Sequence, residues 1–352
     1  MLLLSHVGNI CPQDRTYAIR TSQTEQGECA QDDELMQLLR ALPTGTIDGV
    51  VSGHRHNLVH HYFDGIPFIG STMGSYYFNV LYLTFNATSK KLIDTAIEGP
   101  IPVCEKIFSQ AKDCEYHSEE EAARIGELRE WEFHGETVRA HPALQKMFEE
   151  KWIPLMQPYW EEVFETEILL KVEEGENDLG NMLTSLMQTG TGADFSFVNK
   201  LVFRGTWYPG KVTEAAFFKM LAFEDHVQTF RIKGRAIKAM MAYFQANSYF
   251  FFSGLRQTLK RKPKFWEVVA TTWADGSEIE DQGEYTGATL SFYLEGGGQM
   301  GAAMEQKIYL PQAVKDYGEY RAFFRRQLQA LKRVRKGEFF DPSEPRMVVV
   351  DA

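Results

Sequence analysis

Two short runs, Leu2 to Ser5 and Val50 to Ser52, are leucine-rich or β-branched, and each ends in serine shortly before a histidine. Runs of this kind read as buried strands whose C-terminal ends deliver imidazoles. Between them Leu35, Met36, Leu38, Leu39 and Leu42 fall at helical spacing behind Asp32, Asp33 and Glu34. Acidic groups favour a helix N-terminus, so the order is strand, helix, strand. Gly65 to Gly70 and the alternating Tyr76 to Phe85 supply two more strands with turn-forming residues between them. The first region is therefore α/β or layered α+β.

From Glu105 to about Ile168 the pattern becomes charge-rich and helical, with Glu119, Glu120 and Glu121 opening one segment and His141-Pro142 another. Proline suits a helix's first turn, and the stretch predicts a connecting helix between domains. Past it, Leu179, Met182, Leu183, Leu186 and Met187 form an apolar stripe with Asp178 placed as the cap and Gly190 to Gly192 as the stop. A strand over Asp194 to Val198, a helix opened by Thr213, a strand through Val227 and Thr229, and a turn at Lys233-Gly234 follow. A helix presenting Ile237, Met240, Met241 and Phe244 on one face closes this set. The basic helix Arg321 to Lys336 carries Phe324, Leu328 and Leu331 on one side. It reads as a solvated outer face packed through that stripe, or alternatively as a membrane-surface helix.

The chain has 352 residues, enough at about 150 per domain for two domains with sizeable cores. With 44% hydrophobic and 24% charged residues it is globular in composition. A net charge of −11 argues against non-specific nucleic-acid binding, which draws on Lys and Arg, so an anionic ligand must be held locally. No run approaches the roughly 20 apolar residues of a membrane span. Met1 to Leu4 is far too short for the apolar region of a signal peptide and reads as a strand entered midway. Cys11, Cys29, Cys104 and Cys114 form no C-x-x-C pattern, and Asn86-Ala87-Thr88 is an N-glycosylation sequon. Two readings stay open: a loop closed by Cys104 and Cys114 with a secretory history, or buried thiols and an unused sequon.

The strongest local signal is Gly53-His54-Arg55-His56 after one strand, combined with Ser5-His6-Val7-Gly8 after another. Two histidines one residue apart can face one cavity where a glycine permits a tight turn, and imidazole is a common ligand of zinc-like ions. His60 and His61 read as ordinary surface or sheet residues.

Leu3-Leu4-Ser5-His6-Val7-Gly8 and Ile47-Asp48-Gly49-Val50-Val51-Ser52-Gly53-His54-Arg55-His56-Asn57 together resemble the last two metal motifs of the calcineurin-like metallophosphoesterase domain of 5′-nucleotidases. The likeness continues through Asp178-Leu179-Gly180-Asn181-Met182-Leu183, Gly192-Ala193-Asp194-Phe195, Asn199 to Arg204, Met220 to Phe223, and Ser291 to Gly298. It implies the C-terminal part of a layered metallophosphoesterase domain over 1–115, a helical linker over 116–165, and an α+β nucleotide-binding C-terminal domain over 166–352. It also implies two divalent ions, Zn or Mn, with His6 and His54 serving one and His56 the other. Asn199, Arg204, Phe223, Gly254 and Phe292 would serve a nucleoside monophosphate or related nucleotide, hydrolysed to nucleoside and phosphate. For Phe223 and Phe292 the competing reading is core packing, Phe292 falling inside an expected strand. An extracellular or cell-surface location follows from the same resemblance.

The family's Asp-x-His, bridging Asp and Asn-His-Glu motifs have no counterpart here and would lie upstream of Met1, so no catalytic residue is assigned. Glu173 and Glu174 stand where the family has Arg, Gly298 where it has Asp, and Lys200 to Val202 where it has three glycines. The alternative is therefore a non-catalytic scaffold or interaction protein that keeps the fold. An open sheet edge left by missing strands would invite a partner chain or a homodimer.

Overall fold

The computed structural model describes residues 1–7, 11, 15–21, 30, 33–114, 125–173, 175–247, 250–262, 266–297 and 312–350. Two compact units divide the chain, Met1–Lys146 and Met147–Ala352. In the first unit the principal elements are β1 (Leu2–Ser5), β2 (Ala18–Thr21), α1 (Glu34–Ala41), β3 (Gly49–Ser52), β4 (Val59–Phe63), β5 (Ile66–Gly70), β6 (Tyr77–Phe85) and β7 (Leu92–Pro102). One sheet has the order β1-β3-β5-β4, with β1, β3 and β5 parallel and β4 antiparallel to β5. Helix α1 starts where the Asp33 carboxylate accepts the Leu35 N–H at 3.0 Å, and it buries Leu35, Met36 and Leu39 in one cluster with Ile47, Val50 and Phe68. Register runs from Leu2 opposite Gly49 to Ser5 opposite Ser52. Both strands thus end level, and the histidine-bearing loops leave the same sheet edge.

A second, antiparallel sheet has the order β2-β7-β6. On β7, Glu98 is 1% exposed, and its carboxylate accepts Tyr17 Oη–H at 2.5 Å and Tyr82 Oη–H at 2.7 Å. His134 Nε2 lies 2.8 Å from the same group. Burial pushes the carboxyl up, but the two tyrosines and His134 outweigh it and hold Glu98 below its ordinary value, while Tyr17 is pushed up to about 12. His60 and His61 are buried on β4 with stacked rings, so they belong to the sheet and not to the surface.

The helix expected from Glu105 onward is different in the structure, apart from the segment opened by Glu119, Glu120 and Glu121, which lie outside the described residues. Lys106–Phe108 pairs with Leu128–Glu130, and Glu132–Phe133 with Glu136–Thr137, through a His134-Gly135 turn with both φ values positive. Two positive-φ residues match the twist of a tight hairpin, and this pairing overrides the helical tendency of the surrounding charges. Cys104 and Cys114 form a disulfide beside the first strand pair, and Cys11 is also disulfide-bonded. Helical backbone appears at Pro142–Met147, Phe148–Trp152, Ile153–Met156 and Gln157–Trp160, and none of these segments buries a residue.

The second unit contains α2 (Asp178–Thr191), β8 (Phe195–Asn199), α3 (Glu214–Met220), β9 (His226–Lys233), α4 (Gly234–Asn247), β10 (Phe250–Ser253), β11 (Leu255–Arg261), β12 (Trp266–Trp273), β13 (Glu284–Leu290), α5 (Ser291–Leu294), β14 (Ala313–Glu319), α6 (Tyr320–Leu331) and β15 (Met347–Val350). Its main sheet has the order β10-β8-β13-β9-β14 and a smaller one β12-β11-β15. Phe195, Phe197, Phe230, Phe244 and Phe250 from the main sheet and α4 form an aromatic core with Met182 and Met187 of α2. The cap of α2 is Asn177, whose Oδ1 accepts the Gly180 N–H at 3.0 Å, and Asp178 is the first helical residue. The basic helix ends at Leu331, five residues earlier than its pattern suggests, because Arg333–Val334 pairs as a strand with Glu165 and Thr166.

β15 lies parallel to β11, and the residue before it, Arg346, enters the domain. Its guanidinium donates to Asn181 O, Thr184 Oγ1, Phe252 O and Ser185 Oγ, while Glu176 accepts the Met347 N–H. Burial lowers the Arg346 value to about 10, which keeps it charged at neutral pH.

Folding depresses the Glu98 carboxyl, so its contribution is present above the ordinary carboxylate value of about 4.3 and is lost as pH falls through the lower folded value. Thermal melts across the acid range should show Glu98→Gln with a flatter loss of stability than the parent. Parallel profiles for the two proteins would contradict this assignment.

Candidate functional site

β8 and β13 run parallel, Phe195 opposite Gly287 and Ser196 opposite Ala288, and β9 is antiparallel to β13 with Val227 opposite Leu290. Asn199 at the end of β8, the turn after β13, and the segment before β9 therefore meet at one sheet edge. Asn199 is buried. Its Oδ1 accepts the Leu201 N–H at 2.6 Å, capping the 3-10 turn Lys200–Val202, and its own N–H donates to Tyr293 Oη at 3.2 Å. Tyr293 is fully buried, and desolvation pushes its hydroxyl strongly upward, so it stays neutral.

Phe223 and Phe292 are 38% and 45% exposed, in a domain that otherwise buries most of its aromatic rings. Phe292 lies in the helical turn α5 and not inside a strand, as the core-packing reading expected. Its N–H donates to Asp225 Oδ1 at 3.1 Å, and the Ser291 hydroxyl donates to the same oxygen at 3.2 Å. The Phe223 N–H donates to Tyr320 Oη at 3.0 Å, and the Tyr320 N–H donates to the Asp225 carbonyl at 2.8 Å. Two exposed rings are thus fixed through their backbones by one acidic residue and one tyrosine. Arg204 places its guanidinium 5.0 Å above the Phe223 ring, and its N–H donates to Met220 O at 3.0 Å. Asn199, Arg204, Phe223 and Phe292 share this edge. Asp225, Tyr293 and Tyr320 were not singled out from the sequence, and a lone acid or a core tyrosine gives no local signal there.

Gly254 lies at the other end of β8. Ser253 pairs with Ser196, and a Cβ on Gly254 would come within 2.2 Å of Asp194 O, with φ at +81°. Its freedom serves a tight turn between β10 and β11. Glu173 is exposed and pairs with Lys171 at 3.0 Å. Glu174 and Gly298 lie outside the described residues.

In the first unit, the Gly53 N–H donates to Ser5 O at 2.9 Å and draws the two histidine loops together. The rings of His6 and His54 stand 5.1 Å apart at 63°. A Cβ on Gly53 would approach His6 Nδ1 to 3.2 Å, so the small residue permits that approach. His54 and His56 both adopt positive φ, at 71° and 55°, a backbone conformation that side chains other than glycine rarely take. Among the described residues no three His, Cys, Asp or Glu side chains converge as metal ligands. Zinc sites use at least three protein ligands. The described chain therefore presents neighbouring imidazole donors of the right chemistry without a complete ligand set.

Residues 164–306 match the family described as 5′-nucleotidase, C-terminal domain. Over that stretch the chain is similar to a 5′-nucleotidase C-terminal domain. Asn199, Arg204, Phe223, Asp225, Gly254 and Phe292 all lie inside it. The 5′-nucleotidase precursor from Thermus thermophilus superposes with a TM-score of 0.58 at 16% identity, over 86% of this chain and 59% of that one. The sulfate thiohydrolase SoxB, also from Thermus thermophilus and in complex with glycerol, gives 0.56 at 15% identity, over 89% of this chain and 52% of that one. The chain spans less than two thirds of the length of either structure, and at such identities the likeness is one of fold. It supports an α/β and α+β architecture built around the 5′-nucleotidase C-terminal domain. No curated protein matches in sequence. Among the described residues no helix is long and apolar enough to cross a membrane.

Gly254→Ala should destabilise the second unit by about 1–3 kcal/mol, the usual cost of a strained backbone position, lowering its melting temperature. An unchanged melting temperature would show that the turn does not need glycine.

Proposed function

We propose that this chain is the nucleotide-holding portion of a 5′-nucleotidase-type phosphomonoesterase acting on nucleoside monophosphates. The observation that carries the reading is the pair of exposed rings, Phe223 and Phe292, held at one sheet edge through Asp225 and Tyr320. A nucleoside base offers a flat apolar face to such rings. Stacking rewards ring exposure that water alone makes unfavourable. Arg204, over Phe223, supplies a fixed cation for charge-assisted hydrogen bonds to the ligand's oxygens, and Asn199 sets the turn that leads to it.

In the same reading His6 and His54 contribute to one divalent ion and His56 to a second, Zn or Mn, whose chemistry when bound is to polarise the phosphoryl group and activate water. These imidazoles alone do not complete a hydrolytic centre, so ligand binding is what the described residues perform by themselves. Disulfide bonding fits the extracellular or cell-surface location that goes with this reading.

Calorimetric titration with AMP should give saturable binding. Phe223→Ala and Phe292→Ala should each weaken it roughly 5- to 150-fold, the range for one base–aromatic stack. Asp225→Ala should weaken it as well, because its carboxylate and carbonyl accept the hydrogen bonds that fix the segments carrying the two rings. A folded protein with no heat on adding AMP or adenosine would overturn the reading. AMP binding without phosphate release in Zn²⁺ or Mn²⁺ would favour the non-catalytic scaffold.

A further inference from the structure

The hairpin joining β6 to β7 carries Asn86-Ala87-Thr88, and every residue from Thr84 to Lys91 is exposed. Its backbone is closed by the Asn86 N–H to Lys91 O at 2.8 Å and the Lys90 N–H to Asn86 O at 2.9 Å. Asn86 Oδ1 accepts the N–H groups of Thr88 at 3.0 Å and Ser89 at 2.9 Å, an Asx turn. Those two donors occupy the amide oxygen. They leave Nδ2 without a hydrogen bond among the described residues, on the same turn as the Thr88 hydroxyl, which has none either. The sequon is therefore presented with its nucleophilic atom free.

A second observation concerns the compartment. Cys104 and Cys114 form a disulfide, Cys11 is disulfide-bonded, and no described cysteine is free. Such bonds persist in the oxidising spaces where oligosaccharides are transferred to asparagine. A third is the surface beside the turn. Phe85, adjacent to Asn86, is 47% exposed and lines an open cleft of about 860 Å³ together with Leu42, Pro43, Phe63 and Lys90. A sugar's C–H face packs on an aromatic ring as other apolar groups do, and would cover this patch.

We propose that Asn86 is N-glycosylated and that the first sugar lies over Phe85. In the modification, Nδ2 forms a bond to the anomeric carbon of an oligosaccharide carried on a polyprenyl pyrophosphate. The carbon–oxygen bond to the pyrophosphate breaks, the pyrophosphate leaves with the electron pair, and Nδ2 loses one proton to the transferase.

The full chain, translated into microsomes behind a heterologous signal peptide, should show a size shift that peptide-N-glycosidase removes, with Asn86 converted to Asp in the released peptide. Asn86→Gln and Thr88→Ala should abolish the shift, and Thr88→Ser should keep it. Translocated parent chain whose Asn86 peptide is unmodified would overturn the proposal, and this readout does not depend on folding. For the contact with Phe85, Phe85→Ala should lower the melting temperature of the glycosylated protein more than that of the enzymatically deglycosylated one. Equal losses would remove that part of the proposal.

Discussion

Asp225 is the point on which the second unit's exposed edge depends. Its carboxylate accepts from the turn that carries Phe292, and its carbonyl accepts from the residue that opens α6 and caps Phe223. Three separate stretches of sequence, around Asp225, Ser291 and Tyr320, are tied by hydrogen bonds to the side chain and backbone of this one residue. Partly buried bonds of this kind contribute roughly 0.5–1.5 kcal/mol each, but their larger effect is geometric. They fix where two aromatic rings emerge from a sheet whose other rings are packed away, and this makes the edge a defined surface and not a loose one.

In the first unit the corresponding constraint is strand register. Because Leu2 faces Gly49 and Ser5 faces Ser52, the loops after β1 and β3 begin at the same height. A slip of one residue would turn every side chain of β1 to the other face and separate His6 from His54. Gly53 then allows the two rings to approach, at a place where a larger residue would press on His6.

Elements governed by local periodicity were legible in the sequence. The strands at Leu2 and Gly49, helix α1 with its acidic start, and the apolar face of α4 all follow from spacing and capping, although the first strand leaves Leu2 and Leu4 exposed where its apolar run predicts burial. What escaped was set by distant partners. The stretch Ser291–Leu294 continues the apolar character of β13, so only its hydrogen bonds to Asp225 distinguish a helical turn from more strand. Asn177 and Asp178 are equally good caps by type, and only the extended backbone of Asn177 decides between them. The hairpin around His134-Gly135 is too short to show alternation within a charged stretch. Of the residues that family likeness nominates for a ligand, Asn199, Arg204, Phe223 and Phe292 come to one end of the main sheet, whereas Gly254 lies at the other end of β8, where its need for glycine shows only in its approach to Asp194.

The Arg346 clasp bears on how the second unit forms. Its bonds to Asn181, Thr184 and Ser185, and the neighbouring bond from Met347 to Glu176, join positions 161 to 171 residues apart. Closing so long a loop is an entropic cost that must be met before the contacts stabilise anything, and topologies rich in distant contacts fold slowly. Helix α2 can therefore be seated early by its apolar stripe, yet its first turns stay unsecured until Arg346, more than 160 residues further along, has been synthesised and docked.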